Sequence, residues 1–258
     1  MTSPLSVSSL SVSRGSTPIL HDINFTLVRG EFTALVGPNG AGKTTLIEAV
    51  SAVRPAQSGQ VLLAGEDINH LSHIDRSRKL ALIGREVRSH QSLRVHEVVS
   101  LGRFPHRQGW GLSPQDKASI NLALKKFDCE IFRNKSLAHL SDGERQRVQW
   151  ARAHCQETQL LLLDEATSHL DIAHRERSFN IAREFTQEGG TILAVAHELD
   201  LAARHACRIL VLNKGKIVAD GPPSKTLTPQ LLSDVFGVRA ELKQLPEGPT
   251  LVIYGLNS

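Results

Sequence analysis

The chain has 258 residues, 40% of them hydrophobic and 22% charged, an ordinary globular composition that excludes disorder, a collagen-like repeat and a disulfide scaffold. Thirty Lys and Arg against twenty-six Asp and Glu give a formal charge of +4. Those charges are scattered, and aromatics are only 4%, which argues against a nucleic-acid stripe or a base-stacking platform.

The apolar runs fall far short of the ~20 residues that a spanning helix needs. The start, "MTSPLSVSSLSVSRG", has no charged head followed by an apolar block, so no secretory signal is read. Cys129, Cys155 and Cys207 are widely spaced and form no CxxC pair, which fits a reducing cytosol.

In chain order, "SVSSLSV" and "INFTLV" read as strands of an antiparallel start. "EFTALV" is a short apolar strand feeding a Gly-rich loop, and a helix from about Thr44 to Val53 follows, stopped by Pro55 and Gly59. "QVLLAG" and "RKLALIG" are further strands. The character then changes: "RVHEVVSLGR" has a helical pattern, a Gly/Pro loop runs through Trp110, and "SPQDKASINLALKKF" is a helix with Ser113 as N-cap, Pro114 at its first position and Asp116 in its first turn. After this mainly helical insert come the buried strand "QLLLLDEA", a long helix from Asp171 to Glu188, and the strand "TILAVAH". A hairpin "RILVLNKGKIVADG" turns at Gly215, a capped helix follows over "TPQLLSDVFG", and short strands flank "PEGP". Strands alternating with helices predict an α/β fold with a mostly parallel sheet.

Three segments carry chemistry. "GPNGAGKT" matches GxxxxGK(S/T) between a strand and a helix. The loop Gly37, Pro38, Asn39, Gly40, Ala41 and Gly42 and the helix start at Lys43, Thr44 and Thr45 would surround phosphates, with backbone N–H groups from all but Pro38, Lys43 on the β- and γ-phosphates and the Thr44 hydroxyl on Mg²⁺. "LLLLDEA" is an apolar strand ending in two carboxylates: Asp164 would hold Mg²⁺ through water beside Thr44, and Glu165 would polarise the attacking water. "LSDGERQRV" contains an S-x-x-E capping box, Ser141 to Glu144, which starts a helix.

In this order the segments resemble the ATP-binding cassette (ABC) family. "LSDGERQRV" is similar to its LSGGQ signature, "SHLD" (Ser168 to Asp171) to its D-loop, and His197 in "AVAHELD" matches its switch histidine. The resemblance covers essentially the whole chain. It implies a P-loop NTPase cassette of the α/β class, with a mostly parallel core sheet, an antiparallel β subdomain and a helical insert. Residues 1–258 would form one domain: about 1–84 and 157–258 the RecA-like core with the β subdomain, about 85–156 the helical subdomain.

The resemblance also implies a head-to-tail homodimer that hydrolyses ATP with Mg²⁺. Ser141 and Gly143 of one copy would meet the γ-phosphate held by the other, and His197 would contact that phosphate or Glu165. The dimer would sit on the cytoplasmic face of the cell membrane under two transmembrane permease subunits, served indirectly by a periplasmic or lipoprotein binding protein, with no nucleic acid. "SLRVHEVVSLGRFPH", with Arg103 and Pro105, looks like a stretch of importers of ferric siderophores, haem and vitamin B12. The alternatives are a soluble ABC ATPase of iron–sulfur cluster assembly and a degenerate cassette of low activity.

Four positions depart from the family. Arg85 stands where a Q-loop glutamine is expected, Asp142 where the signature has Gly, and Ala166 where Pro follows the catalytic Glu. Ser13 and Arg14 stand where an aromatic would stack on adenine, and the Arg14 guanidinium would cover the base instead. Arg85 and Asp142 are expected to offset one another across the closed dimer. His70, His73, His169 and His174 are expected to be surface histidines, with no metal shell around them.

Overall fold

The computed structural model describes residues 2–84, 92–107, 109, 111–164, 171–246 and 248–257. Arg85, Trp110, Glu165, Ala166, Ser168 and His169 lie outside the described residues.

Strands β1 (Leu5–Arg14) and β2 (Thr17–Thr26) pair antiparallel, with Leu10 opposite Ile23. Strand β3 (Phe32–Val36), buried at every position, leads through the glycine loop into α1 (Lys43–Val50). The helix stops short of the expected Val53. The Ser51 hydroxyl donates to the Ile47 carbonyl at 2.8 Å, and Ala52 takes a φ of +54°, which takes the chain out of helical geometry. Strands β4 (Ser58–Leu63) and β5 (Glu66–Asp67) complete a four-stranded antiparallel sheet ordered β2-β1-β4-β5. Helix α2 (His73–Lys79), capped by Ser72 and without buried residues, precedes β6 (Leu80–Ile83).

Between β6 and β7 (Leu160–Leu163) the chain is helical: α3 (Val95–Ser100), a 3-10 turn over Leu101–His106, α4 (Pro114–Lys126) and α5 (Asp142–Cys155). The helical pattern read through Arg103 tightens at Leu101. Gly102 lies against α5, where an added Cβ would stand 2.3 Å from the Arg152 carbonyl oxygen. Beyond β7 come α6 (Ile172–Gln187), β8 (Thr191–Val195), α7 (Leu199–His205), β9 (Arg208–Asn213) and β10 (Lys216–Gly221). The β9–β10 hairpin turns on Lys214 and Gly215 at φ +47° and +75°, the pairing that suits a two-residue hairpin. Helices α8 (Pro223–Thr226) and α9 (Pro229–Phe236) precede β11 (Val238–Leu245) and β12 (Gly248–Leu256). These last strands, expected to be short, form a hairpin of eight and nine residues.

The central sheet has six strands ordered β10-β9-β3-β8-β7-β6, parallel except at β10–β9. Its strands are apolar throughout because both faces are covered. Alternate residues enter different cores: Phe32, Ala34 and Val36 join Ile192, Ala194 and the helical side, while Leu35 joins Leu193, Leu210 and the side of α1 and the antiparallel sheet. The two cores hold β3 rigidly between them, and the phosphate loop hangs from its end.

Candidate active site

The loop after β3 is shaped by close backbone approaches. Gly37, at φ +154°, passes so near β9 that a Cβ would stand 2.0 Å from the Leu212 carbonyl oxygen. Gly42, the N-cap of α1 at φ +105°, lies against Leu20 of β2. The Ala41 carbonyl accepts the Gly215 amide at 3.1 Å, which ties the loop to the β9–β10 turn. Asn39 and Gly40 are exposed, Pro38 and Thr45 half-buried. Lys43 is 6% exposed, and its ammonium donates to the carbonyls of Gly37 at 2.7 Å and Pro38 at 3.0 Å. The cation therefore lies over the loop itself, where phosphate oxygens would compete for it.

Thr44 and Asp164 meet. The Thr44 hydroxyl donates to Asp164 Oδ1 at 3.3 Å, and the Asp164 amide donates to the Ile83 carbonyl at 2.8 Å, fixing the end of β7 to β6. Asp164 is 9% exposed. A hydroxyl and a carboxylate that converge form an all-oxygen donor pair of the kind a hard divalent cation prefers, so the residues present fit Mg²⁺. Thr44 and Asp164 are thus brought together from distant parts of the chain, with Lys43 adjoining Thr44 at the start of α1.

His197 follows β8 by two residues and is exposed, just ahead of α7. The neighbouring Glu198 pairs with Arg175 of α6 at 2.9 Å, which anchors that loop. Arg14 is exposed at the end of β1, opposite Thr17 in the hairpin whose second strand carries Leu20 against Gly42.

Ser141 and Gly143 belong to a separate element, the start of α5. Ser141 is its N-cap: Oγ accepts the Glu144 amide at 3.3 Å, while Glu144 Oε2 accepts the Ser141 amide at 2.7 Å and hydroxyl at 2.9 Å. These bonds hold the Glu144 carboxyl below its ordinary pKa. Asp142 is engaged by Arg145 of its own helix; Arg145 also donates through Nη1 to the Leu140 carbonyl at 2.7 Å. Gly143 is buried, with an added Cβ only 2.5 Å from the ring Nε2 of His174. His174, expected to be a surface residue, is half-buried on the signature turn, because α6 starts directly beneath it. His70 and His73 are exposed, the latter with its ring Nδ1 2.6 Å from Arg76.

One cluster escaped the sequence reading. Arg103 is 3% exposed and bonds Asp116 Oδ1 at 2.8 Å, Glu157 at 2.8 Å and the Cys155 carbonyl at 3.0 Å. The Arg103 guanidinium, helped by Ser113, holds the Asp116 carboxyl down at about 2. The available signal was Arg103 in "GRFPH" and an acid three residues beyond an N-cap. That acid serves the cap with one oxygen and the arginine with the other.

The family model for ABC transporters matches residues 20–168. The iron(3+)-hydroxamate import ATP-binding protein FhuC of Bacillus subtilis is 36% identical over 98% of this chain and 95% of its own. A hemin import ATP-binding protein, HmuV, of Pseudomonas fluorescens is 38% identical over 96% and 99%. Among solved structures, a metal-chelate type ABC transporter in an inward-facing conformation superposes with a TM-score of 0.84 at 23% identity, covering 99% of this chain and 98% of its own. CbiO1 of Clostridium perfringens does so with 0.77 at 25% identity over 90% and 93%. No described helix is long and apolar enough to cross a membrane. From the phosphate loop to the capped signature helix, in order and over its whole length, the chain belongs to the ABC transporter family as an ATP-binding, ATP-hydrolysing cassette.

Proposed function

We propose that the chain hydrolyses MgATP as a head-to-tail homodimer beneath two membrane-spanning permease subunits, at the cytoplasmic face of the membrane, and so energises import of an iron chelate, haem or cobalamin delivered by a binding protein. The observation that carries the chemistry is the contact of Thr44 with Asp164 beyond β7, beside the loop over which Lys43 lies. The cargo class rests on full-length likeness to relatives named for ferric hydroxamate and hemin import, and on 36% identity to a cobalamin import ATP-binding protein, BtuD, of Halobacterium salinarum over 91% of this chain. This chain spans 59% of that last relative's length.

In this reading the amides of Gly37 and of Asn39 to Gly42, with the Lys43 ammonium, bind the phosphates, and the first turn of α1 favours their charge. Thr44 and Asp164 would hold Mg²⁺, which supplies charge neutralisation on the phosphates. Glu165 accepts the proton of the attacking water, and His197 contacts the γ-phosphate. Ser141 and Gly143 of the second copy close the site, and Arg14 lies over the adenine. Residues about 85–156 act as the helical subdomain and the remainder as the core.

Glu165→Gln tests the base: ATP binding persists, turnover falls at least ~100-fold, and ATP drives a stable dimer seen by light scattering. Wild-type turnover in that variant overturns the assignment. For cargo, uptake of labelled ferric hydroxamate, haem and cobalamin is measured in a host strain lacking the chain. Loss of one of them restored by the wild-type gene supports the reading, and unaltered uptake of all three overturns it.

A further inference from the structure

The signature turn carries two acids where a phosphate is to be received. Glu144 is committed to the Ser141 amide and hydroxyl. Asp142, whose side chain is 58% exposed, has no such task in the cap. Its carboxylate stands next to Ser141 at the open start of α5, and like charges brought together at an interface oppose binding. Gly143 is fixed against His174, so the turn cannot retreat toward α6.

Arg145 spans this turn. One arm of its guanidinium donates to the Leu140 carbonyl, before Ser141, and the other to the Asp142 carboxylate, after it. The Arg145 side chain is itself only 25% exposed and reaches back from the first turn of α5 to the residue before the cap. We propose that Arg145 is a positioning residue for ATP hydrolysis: it neutralises Asp142 and holds its carboxylate against the guanidinium, so that the start of α5 can receive the γ-phosphate bound by the second copy. The inference rests on the dimer reading above and adds to it how a chain with an acid in its signature still accepts an anion. Arg85, expected to offset Asp142 across the closed dimer, lies outside the described residues, whereas Asp142 pairs with Arg145 of its own helix.

The test is a rescue experiment on the full chain. Arg145→Gln is compared with Asp142→Gly/Arg145→Gln by the ATP concentration for half-maximal turnover. The same pair is compared, in the Glu165→Gln background, by the ATP concentration that drives dimerisation. Exposing the Asp142 charge should raise both concentrations roughly tenfold with kcat changed less than about threefold, and removing that charge should bring both back to within about twofold of the parent. A role confined to the Leu140 carbonyl predicts impairment in Arg145→Gln that the second substitution does not relieve. That result, or unchanged concentrations in Arg145→Gln, overturns the proposal. A parent chain without turnover whose ATP-driven dimerisation still depends on Arg145 in the rescued pattern refutes the hydrolysis reading and supports this one.

Discussion

Asp116→Asn removes one charge from the buried cluster that staples the 3-10 turn Leu101–His106 to α4 and α5. Asp116 is 3% exposed, with Oδ1 on Arg103 at 2.8 Å and Oδ2 on the Ser113 amide at 3.0 Å and hydroxyl at 2.7 Å. The guanidinium of Arg103, followed by Ser113, lowers the carboxyl from 3.8 to about 2. At ~1.36 kcal/mol per unit, that depression corresponds to about 2 kcal/mol of folding stability. The folded pKa lies below the unfolded one. The contribution is therefore complete above about pH 5 and is lost as pH falls through 4 toward 2, with roughly half gone near pH 3. Asn keeps an acceptor for Ser113 and the same volume. Arg103 also keeps Glu157 at 2.8 Å and the Cys155 carbonyl. The loss thus stays below the ~3–5 kcal/mol of a buried charge stripped of all partners.

Urea unfolding of the two full-length proteins from pH 7 down to pH 3 provides the assay. The variant should be about 2 kcal/mol less stable at pH 7, and the gap should shrink to about 1 kcal/mol at pH 3. A gap below about 0.5 kcal/mol at pH 7, or one that stays constant as pH falls, would refute the charge argument.

Two further outcomes follow from the backbone and from burial. Gly37→Ala sets a Cβ 2.0 Å from the Leu212 carbonyl oxygen at φ +154°; it should cost roughly 2–4 kcal/mol in unfolding experiments and weaken ATP binding, and a variant as stable and as tight-binding as wild type would contradict the loop geometry. Burial pushes the Cys129 and Cys155 thiols up to about 12, whereas Cys207 is exposed. In native protein at pH 8 a thiol reagent should modify Cys207 alone, reaching the other two only in denaturant, and rapid native labelling of Cys155 would show that α5 opens on that timescale.

How much of this was legible beforehand depended on whether the signal was local. The phosphate loop, the Ser113 and Ser141 caps and the Gly215 turn are each written in a few adjacent residues, and the structure places them as read. The apolar runs of β3, β7 and β8 likewise announce strands covered on both faces. Non-local partnerships left no such mark. Nothing beside Arg103 announces Asp116 or Glu157, nothing near Gly143 announces His174, and Asp142 looks like an intruder until Arg145 is seen to hold it. Helix α2, which buries no residue, has no apolar stripe from which to be read. The long β11–β12 hairpin was hidden because Pro246 and Gly248 dominate its middle while its strands mix charge with apolar residues. Glu165, on which the proposed chemistry turns, lies outside the described residues, so its assignment rests on the motif.

The fold also explains why the signature turn suits a second nucleotide. Strands β3, β7 and β8 are parallel neighbours, so the residues that follow them, Gly37, Asp164 and His197, lie toward one edge of the sheet. That carboxyl edge is where open α/β sheets bind ligands. Helix α5 runs the other way: Arg152 donates to the Leu82 carbonyl, and Gln156, farther along the helix, donates to the Leu80 carbonyl, earlier in β6. The start of α5 therefore points toward the same edge as Asp164. From Arg152 back to Ser141 the helix extends about 16 Å at 1.5 Å per residue. Strand β6 ends one residue after Leu82, at Ile83, whose carbonyl already meets the Asp164 amide. Ser141 is thus carried well past the ends of the strands that hold Thr44 and Asp164. A helix start held there, with two acids tied to Ser141 and Arg145, is placed to meet a phosphate presented from beyond the chain's own loop, as the head-to-tail arrangement requires.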